Sequence, residues 1–378
     1  MYQLNAFNPQ QFLQQHWQKQ PLLIRGGFPG FVDLLDEHDL AGLAQEPDID
    51  ARIVSRNGNN WQVAQGPFDD FAPHCHGQWS LLVQGVDLYL DEATELLNAF
   101  NFIPRWRIDD LMVSYSVPGA GVGPHLDQYD VFIIQGKGRR HWQVGNKGQY
   151  AEHRPHPMLG QVEPFEPIID AILEPGDILY IPPGFPHCGE AIEPSLNYSV
   201  GFRAPNQQDL LSSLADFALQ QEGLTQRYQD PDLKSRPLSG EVLGSEVERI
   251  QELLQASLQG PAFTQWLGSF LSRGPQEESI EDAEVALDEV FEYLQNGNAL
   301  QRRLDFKGIW LESDSPQVQL HLGELNIQLN KNLLPHLEPM LAHASWVKPS
   351  SMTGETLMQL CQAILPLINA GVWEPIED

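Results

Sequence analysis

Cysteine is scarce. Three residues, Cys75, Cys188 and Cys361, spread over 378 positions are too few and too scattered for a disulfide framework. Basic residues are scarce too: 22 Lys and Arg stand against 51 Asp and Glu, a formal charge of −29. A phosphate backbone or an anionic bilayer repels such a chain, which argues against nucleic acid or membrane as a direct ligand and favours a basic partner. Acidity of this kind also serves solubility alone. No run approaches the ~18 consecutive apolar residues of a membrane span. The first residues, MYQLNAFNPQQFLQQHW, lack a basic segment ahead of an apolar one, so no signal peptide is expected and the cytoplasm is the simplest compartment. Repeats and low-complexity tracts are absent.

What is present is enough apolar residue, 42%, to bury a real core over two or three domains. The composition changes near residue 205. Before it, Gly, Pro and aromatics punctuate short strand-like runs: LMVSYSV (111–117), DVFIIQ (130–135), RRHWQV (139–144), DILYIP (177–182) and LNYSVGF (196–202). Short strands with frequent turns predict a sandwich or barrel. After Ala204-Pro205 the pattern turns helical. Leu210, Leu211, Leu214, Phe217 and Leu219 form one stripe, and Val247, Ile250, Leu253, Leu254 and Leu258 a second, with a loop at 229–240 between them.

A third region follows Arg273-Gly274-Pro275. It opens with the acidic EESIEDAE (277–284), continues as an amphipathic helix through Phe291 and Leu294, then two strand-like stretches, then a helix around Thr356–Ile368. Helices and a small hairpin fit a winged-helix-like module. Six basic against 17 acidic residues in 270–378 argue that it does not bind DNA. The expected class is α+β, with a β-rich domain over 1–205, a helical region over 206–269 and the winged-helix-like domain over 270–378.

The chemistry concentrates in GAGVGPHLDQYDVFIIQGKGRRHWQVG (119–145). His125 and Asp127 stand at i and i+2, so in a strand they share a face. Beside a Gly/Pro-rich turn they can supply two ligands to one metal. LEPGDILYIPPGFPHCGEA (173–191) offers a third, His187, after a strand and a Pro-Pro-Gly bend. Two His and one carboxylate on one side of a metal form the facial triad of non-haem Fe(II) oxygenases, which leaves positions open for cosubstrate and O₂. A storage-type cupin site would add further histidines and a Glu, and no such Glu follows Asp127 at comparable spacing.

Arg140 adds a second signal. It shares a strand face with Trp142 and Val144, and that face reads as inward. An arginine there is a buried unpaired charge unless an anion meets it, and its guanidinium suits a carboxylate. A molecule that chelates metal at one end and carries a carboxylate at the other satisfies both groups, as 2-oxoglutarate does. The competing reading pairs Arg140 with an internal acid. His74-Cys75-His76, His153 and His156 read as surface or loop residues, Cys188 as a small buried residue open to oxidation, and Trp61, Trp79, Trp106 and Trp142 as core.

These motifs resemble the JmjC-type 2-oxoglutarate oxygenases, and within them the ribosomal oxygenase branch. The resemblance runs over 11–203, through FLQQHWQKQPLLIRGG (12–27), WSLLVQGVD (79–87), 102–142 and EPGDILYIPPGFPHCGEA. It implies a double-stranded β-helix (cupin, jelly-roll) domain, with His125, Asp127 and His187 as Fe(II) ligands. It implies that Arg140 grips the far carboxylate of 2-oxoglutarate, where many relatives use Lys. Ser116 or Tyr115 would line the cosubstrate pocket, and strand phase alone does not choose between these neighbours. Asn197 matches a polar position on the strand after the last ligand. The implied reaction uses O₂, releases succinate and CO₂ and hydroxylates a ribosomal protein, on arginine in bacterial members. A homodimer through 206–269 and an accessory C-terminal module are implied as well. Two alternatives remain at this point: an N-methyl-lysine demethylase of the same chemistry, and a non-catalytic acidic binding protein.

Overall fold

The computed structural model describes residues 2–220, 225–274 and 284–376; of the acidic stretch at 277–284, all but Glu284 lies outside the described residues. Contacts divide the chain into two compact units, Met1–Ala204 with Ala342–Ala344, and Pro205–Leu341 with Ser345–Asp378. The helices expected as a separate region at 206–269 therefore cluster with the residues that follow them.

Thirteen strands build the first unit: β1 (Leu22–Ile24), β2 (Ala51–Asn57), β3 (Asn60–Gln65), β4 (Gln78–Val83), β5 (Ile108–Ser116), β6 (Asp130–Gln135), β7 (Arg140–Gly145), β8 (Glu152–His156), β9 (Leu159–Val162), β10 (Pro167–Leu173), β11 (Ile178–Ile181), β12 (His187–Ala191) and β13 (Ser195–Phe202). The larger sheet has the order β1-β11-β6-β13-β5-β4-β2-β3 and the smaller one β10-β7-β12. The segment 119–125 extends the smaller sheet. Gly119 N–H donates to Ala191 O (2.7 Å) and His125 N–H to His187 O (3.0 Å), and Ala191 and His187 donate back. Strands far apart in sequence thus alternate between two facing sheets, the cupin-type barrel.

The β6 sequence DVFIIQ shows why two layers form. All six of its residues are buried. Phe132 and Ile134 join the outer core with Phe12, Phe100, Tyr180 and Phe202, while Val131 and Ile133 join Trp142, Val144, Leu179 and Phe185 between the sheets. A strand apolar on both faces is stable only when covered on both. The outer cover includes α1 (Pro9–Gln15), started by Pro9 and by the Asn8 side chain, which accepts from Gln11 N–H. Phe12 on that helix meets Tyr180 edge-on at 4.8 Å between ring centroids.

In the second unit, helices Leu287–Gln295 and Gly354–Asn369 pack with the hairpin Gln317–Leu322/Leu325–Asn330 around Leu294, Leu320, Ile364 and Trp373. Helices Gln207–Gln220 and Gly244–Ala256 bury no residue fully within their unit. Helices Pro261–Ser272 and Leu334–Ala342 are additional to those expected from the sequence.

Two glycines let the segment 119–125 approach β12. A Cβ on Gly121 would collide with the Gly189 carbonyl oxygen, and one on Gly189 would collide with the Trp142 ring. Replacing Gly121 by Ala should push the segment off β12. The expected outcome is a lower Tm together with weaker Co(II) binding; unchanged Co(II) affinity would show that this close approach does not position the metal ligands.

Candidate metal and cosubstrate site

The pairing of His125 with His187 is an isolated antiparallel bridge. It brings residues 62 positions apart to 4.2 Å between ring centroids. Asp127 follows two residues on, and its carbonyl accepts from Gly184 N–H of the Pro-Pro-Gly bend (3.0 Å), which ties both ligand-bearing loops together. His125 Nε2 lies 3.9 Å from Asp127 Oδ1 and His187 Nε2 lies 3.4 Å from Asp127 Oδ2. The three donor atoms all fall within 4.8 Å of one another. No other His, Cys or carboxylate cluster of this kind occurs among the described residues, and His74-Cys75-His76 forms none.

The outer ring nitrogens fix the tautomers. His125 Nδ1 faces Gly123 O at 3.0 Å and His187 Nδ1 faces Phe185 O at 3.1 Å. Each Nδ1–H donates to a carbonyl, so each Nε2 lone pair points inward. Burial, reinforced by the neighbouring His187, holds His125 down at about 4, against an opposing pull from Asp127. Burial pushes the Asp127 carboxyl up, but the imidazoles and Arg52 outweigh it and hold the group at about 2. Neutral imidazole and ionised carboxylate are the states a divalent cation requires. The N, N, O donor set fits ferrous iron or cobalt.

The triad lines a cavity of about 320 Å³ that also takes in Arg140, Ser116 and Asn197. Arg140 is 5% exposed. Its guanidinium donates to Ser116 Oγ and, at 3.4 Å, to Ser195 Oγ. Its Nε has no partner, and no carboxylate pairs with it among the described residues, so the internal-acid alternative fails. Burial lowers the guanidinium to about 10, which leaves it charged at neutral pH. Asn197 donates through Nδ2 to Gln135 Oε1 at 3.2 Å, while its Oδ1 is buried without a partner. Buried polar atoms left unsatisfied are costly, and these two sit at the cavity wall.

Strand phase separates the two neighbouring candidates. Asp110, Met112, Ser114 and Ser116 line the cavity. Leu111, Val113 and Tyr115 face the outer core, where the Tyr115 ring packs 5.6 Å from Trp79. The expectation for Tyr115 is thereby corrected, because it lies outside the cavity.

Three acids near the motifs also find their places. Asp130 is fully buried, and accepts from Tyr180 O–H (2.6 Å) and Gln18 Nε2 (2.9 Å). Asp109 pairs with Arg203 at 3.3 Å, and Glu152 is exposed on β8. Of Asp109, Asp110, Asp130 and Glu152, Asp110 alone lines the cavity. Arg52, Gln84, Met112, Tyr129 and the β8–β9 turn at Met158–Gly160 line it too, and none was singled out from sequence. The alternation in ARIVSRN turns Arg52 and Val54 one way and Ile53 the other, so an apolar residue stands on each face and the local pattern does not say which is inward.

A profile of the JmjC domain matches residues 95–210. The chain is 49% identical over 304 residues to the ribosomal protein uL16 3-hydroxylase of Escherichia coli (strain K12), covering 80% of this chain and 81% of the relative. The chain belongs to the JmjC ribosomal oxygenases. Among solved structures, the E. coli ribosomal oxygenase YcfD in complex with cobalt and 2-oxoglutarate superposes with a TM-score of 0.85 at 40% identity, over 100% of both chains. A further X-ray structure of E. coli YcfD gives 0.86 at 41% identity, over 99% of this chain and 100% of that one. In this ribosomal oxygenase the cavity has the divalent-metal donors at one end and a cation without a carboxylate partner at the other, which is a fit to a metal and a diacid.

An unpaired buried charge weakens the ligand-free fold. Arg140→Met should stabilise the protein without 2-oxoglutarate by about 1–4 kcal/mol in urea unfolding. A loss of that size instead would mean that the guanidinium is compensated in the free protein.

Proposed function

We propose that this ribosomal oxygenase is an Fe(II)- and 2-oxoglutarate-dependent hydroxylase that acts on an arginine side chain of the large-subunit ribosomal protein uL16, releasing succinate and CO₂. The observation that carries this reading is the meeting of the His125–Asp127–His187 triad and Arg140, which no carboxylate pairs, in one cavity. The three ligands would hold the iron on one face. Arg140, with Ser116 and Asn197, would hold the far carboxylate of the cosubstrate, and the close-packed apolar residues between the sheets would keep water from it. When bound, ferrous iron supplies the redox chemistry that couples oxidative decarboxylation of 2-oxoglutarate by O₂ to hydroxylation of an unactivated C–H bond. A retained guanidinium aimed at this cavity is of no use to a non-catalytic acidic binder.

The substrate assignment has separate support. The E. coli relative is named for uL16. A charge of −29 attracts a basic ribosomal protein, and Asp110 gives the cavity wall a carboxylate suited to a guanidinium, with Met112 and Tyr129 to flank the methylenes. Such a substrate would be met in the cytoplasm. Helices Gln207–Gln220 and Gly244–Ala256 leave Leu211, Leu219, Val247, Ile250 and Leu254 exposed, which supports a homodimer through 206–269. The acidic winged-helix-like part at 270–378 then serves as an accessory domain that does not bind DNA, beside an oxygenase domain at 1–205.

The test is incubation of the full chain with uL16, Fe(II) and 2-oxoglutarate, followed by peptide mass mapping. Gain of one oxygen on an arginine is expected, abolished by His125→Ala. Loss of a CH₂ unit from a methylated lysine would establish demethylation instead, and oxidation that persists in the variant would show that it is not enzymatic. Arg140→Ala should raise the 2-oxoglutarate requirement about a hundredfold while leaving metal affinity intact. Equal loss of both would mark a folding defect. Ile250→Glu with Leu254→Glu should convert a dimer to a monomer in sedimentation; a wild-type monomer would remove the dimer from the proposal.

A further inference from the structure

Arg140 is not the only inward cation without a carboxylate partner. In β2 the alternation sends Arg52 and Val54 to the cavity wall while Ile53 joins the outer core. Arg52 pairs in register with Gln65 of β3 and Leu82 of β4, so its backbone is fixed from both sides. Its Nε is buried and unbonded, and no hydrogen bond or ion pair engages the guanidinium among the described residues. Its charge acts on His125, Asp127 and Tyr129, whereas Arg140 is held among Ser116 and Ser195. The two guanidiniums stand on different sheets, Arg52 on β2 of the larger and Arg140 on β7 of the smaller. Asp110 lines the same cavity, yet Arg52 makes no ion pair with it.

One diacid answers both cations poorly. With one carboxylate on Arg140 and the other committed to the metal, 2-oxoglutarate would leave at most one oxygen, close against the metal, for a second guanidinium. The protein substrate can supply an acceptor farther out. A basic substrate brings few carboxylates, but every residue brings a main-chain carbonyl. We infer that Arg52 is a substrate-positioning residue: its guanidinium takes a main-chain carbonyl oxygen beside the residue to be hydroxylated, and its charge turns a cationic side chain away, toward Asp110. This deepens the proposed function and rests on it. An acid on β5 and a base on β2, two strands of one wall, give the entering arginine a single favourable direction, which is what a reaction at one chosen carbon requires.

The test compares wild type, Arg52→Ala, Arg52→Gln and Arg52→Lys as full-length proteins. Binding of labelled uL16 is measured with Mn(II) and 2-oxoglutarate bound, and steady-state kinetics are measured with Fe(II). For Arg52→Ala, weaker uL16 binding and a KM for uL16 raised about ten- to a hundredfold are expected, with the 2-oxoglutarate requirement unchanged. Arg52→Gln keeps a donor without charge and should lie between, and Arg52→Lys should recover part of the loss. Unchanged uL16 binding and KM in Arg52→Ala would overturn the inference. A 2-oxoglutarate requirement that rises as far as the KM for uL16 would overturn it too, by assigning Arg52 to the cosubstrate or to the fold. If wild type neither binds nor modifies uL16, the proposed function fails first and the inference falls with it, an outcome distinct from failure of the variants alone.

Discussion

Two reciprocal backbone hydrogen bonds, His125 N–H to His187 O and His187 N–H to His125 O, both 3.0 Å, are the constraint on which the site depends. A hydrogen-bonded antiparallel pair holds its Cα atoms about 5.5 Å apart. That spacing sets two imidazoles against one ion without any adjustment of the loops. The same strand then sets the length of the cavity. In register, β7 places Val144 opposite His187 and Arg140 opposite Ala191. Four residues of strand separate the metal end from the arginine end, about 13 Å of backbone. A guanidinium reaching back along that span leaves room for a short diacid and for little else.

That register explains what could be read from sequence and what could not. His125, Asp127 and Arg140 were legible because each lies in a local pattern: an i, i+2 pair, and an inward face marked by Trp142 and Val144. Ser116 and Tyr115 were not separable, because alternation offers two phases and only packing chooses. Leu111 and Val113 bury against the outer core and so turn Ser116 inward. The burial of Asp130 was not legible, since its partners Arg107, Tyr180 and Gln18 stand 23, 50 and 112 residues away. Arg52 escaped notice for the same reason. Its inward phase follows only once β2 is known to pair with β4, and no local motif announces that. The helix Pro261–Ser272 was missed because PAFTQWLGSFLS is apolar around much of its circumference and shows no clear stripe.

The electrostatics oppose each other at two scales. The chain as a whole is strongly acidic, yet two cations line its central cavity without carboxylate partners. Long-range attraction draws a basic protein toward the surface, but it does not specify how that protein sits. Short-range placement does. A cavity lined only with acids would hold an arginine side chain in several orientations. Arg52 and Asp110 on one wall admit fewer. The desolvation cost of the buried Arg140 guanidinium lowers the stability of the empty fold, and a bound acceptor offsets it, so folding and binding are coupled through the same atoms.

Burial also orders the cavity. Ser116, Asn197 and Arg140 are at most 5% exposed, the side chains of His125 and Asp127 are 23% and 21% exposed, and Tyr129 is 43% exposed. The cosubstrate groups and His187, 2% exposed, therefore lie deepest, His125 and Asp127 next, and the groups proposed to meet the substrate nearest solvent. A protein substrate seated over Tyr129 and Asp110 would cover the way to Arg140, so on the proposed reading the diacid has to enter first. The order of binding then follows from depth alone, with no moving lid required. It also accounts for why the deepest cation is an arginine held by two serines. A group that must capture its ligand before the cavity closes gains most from being rigid and charged in advance.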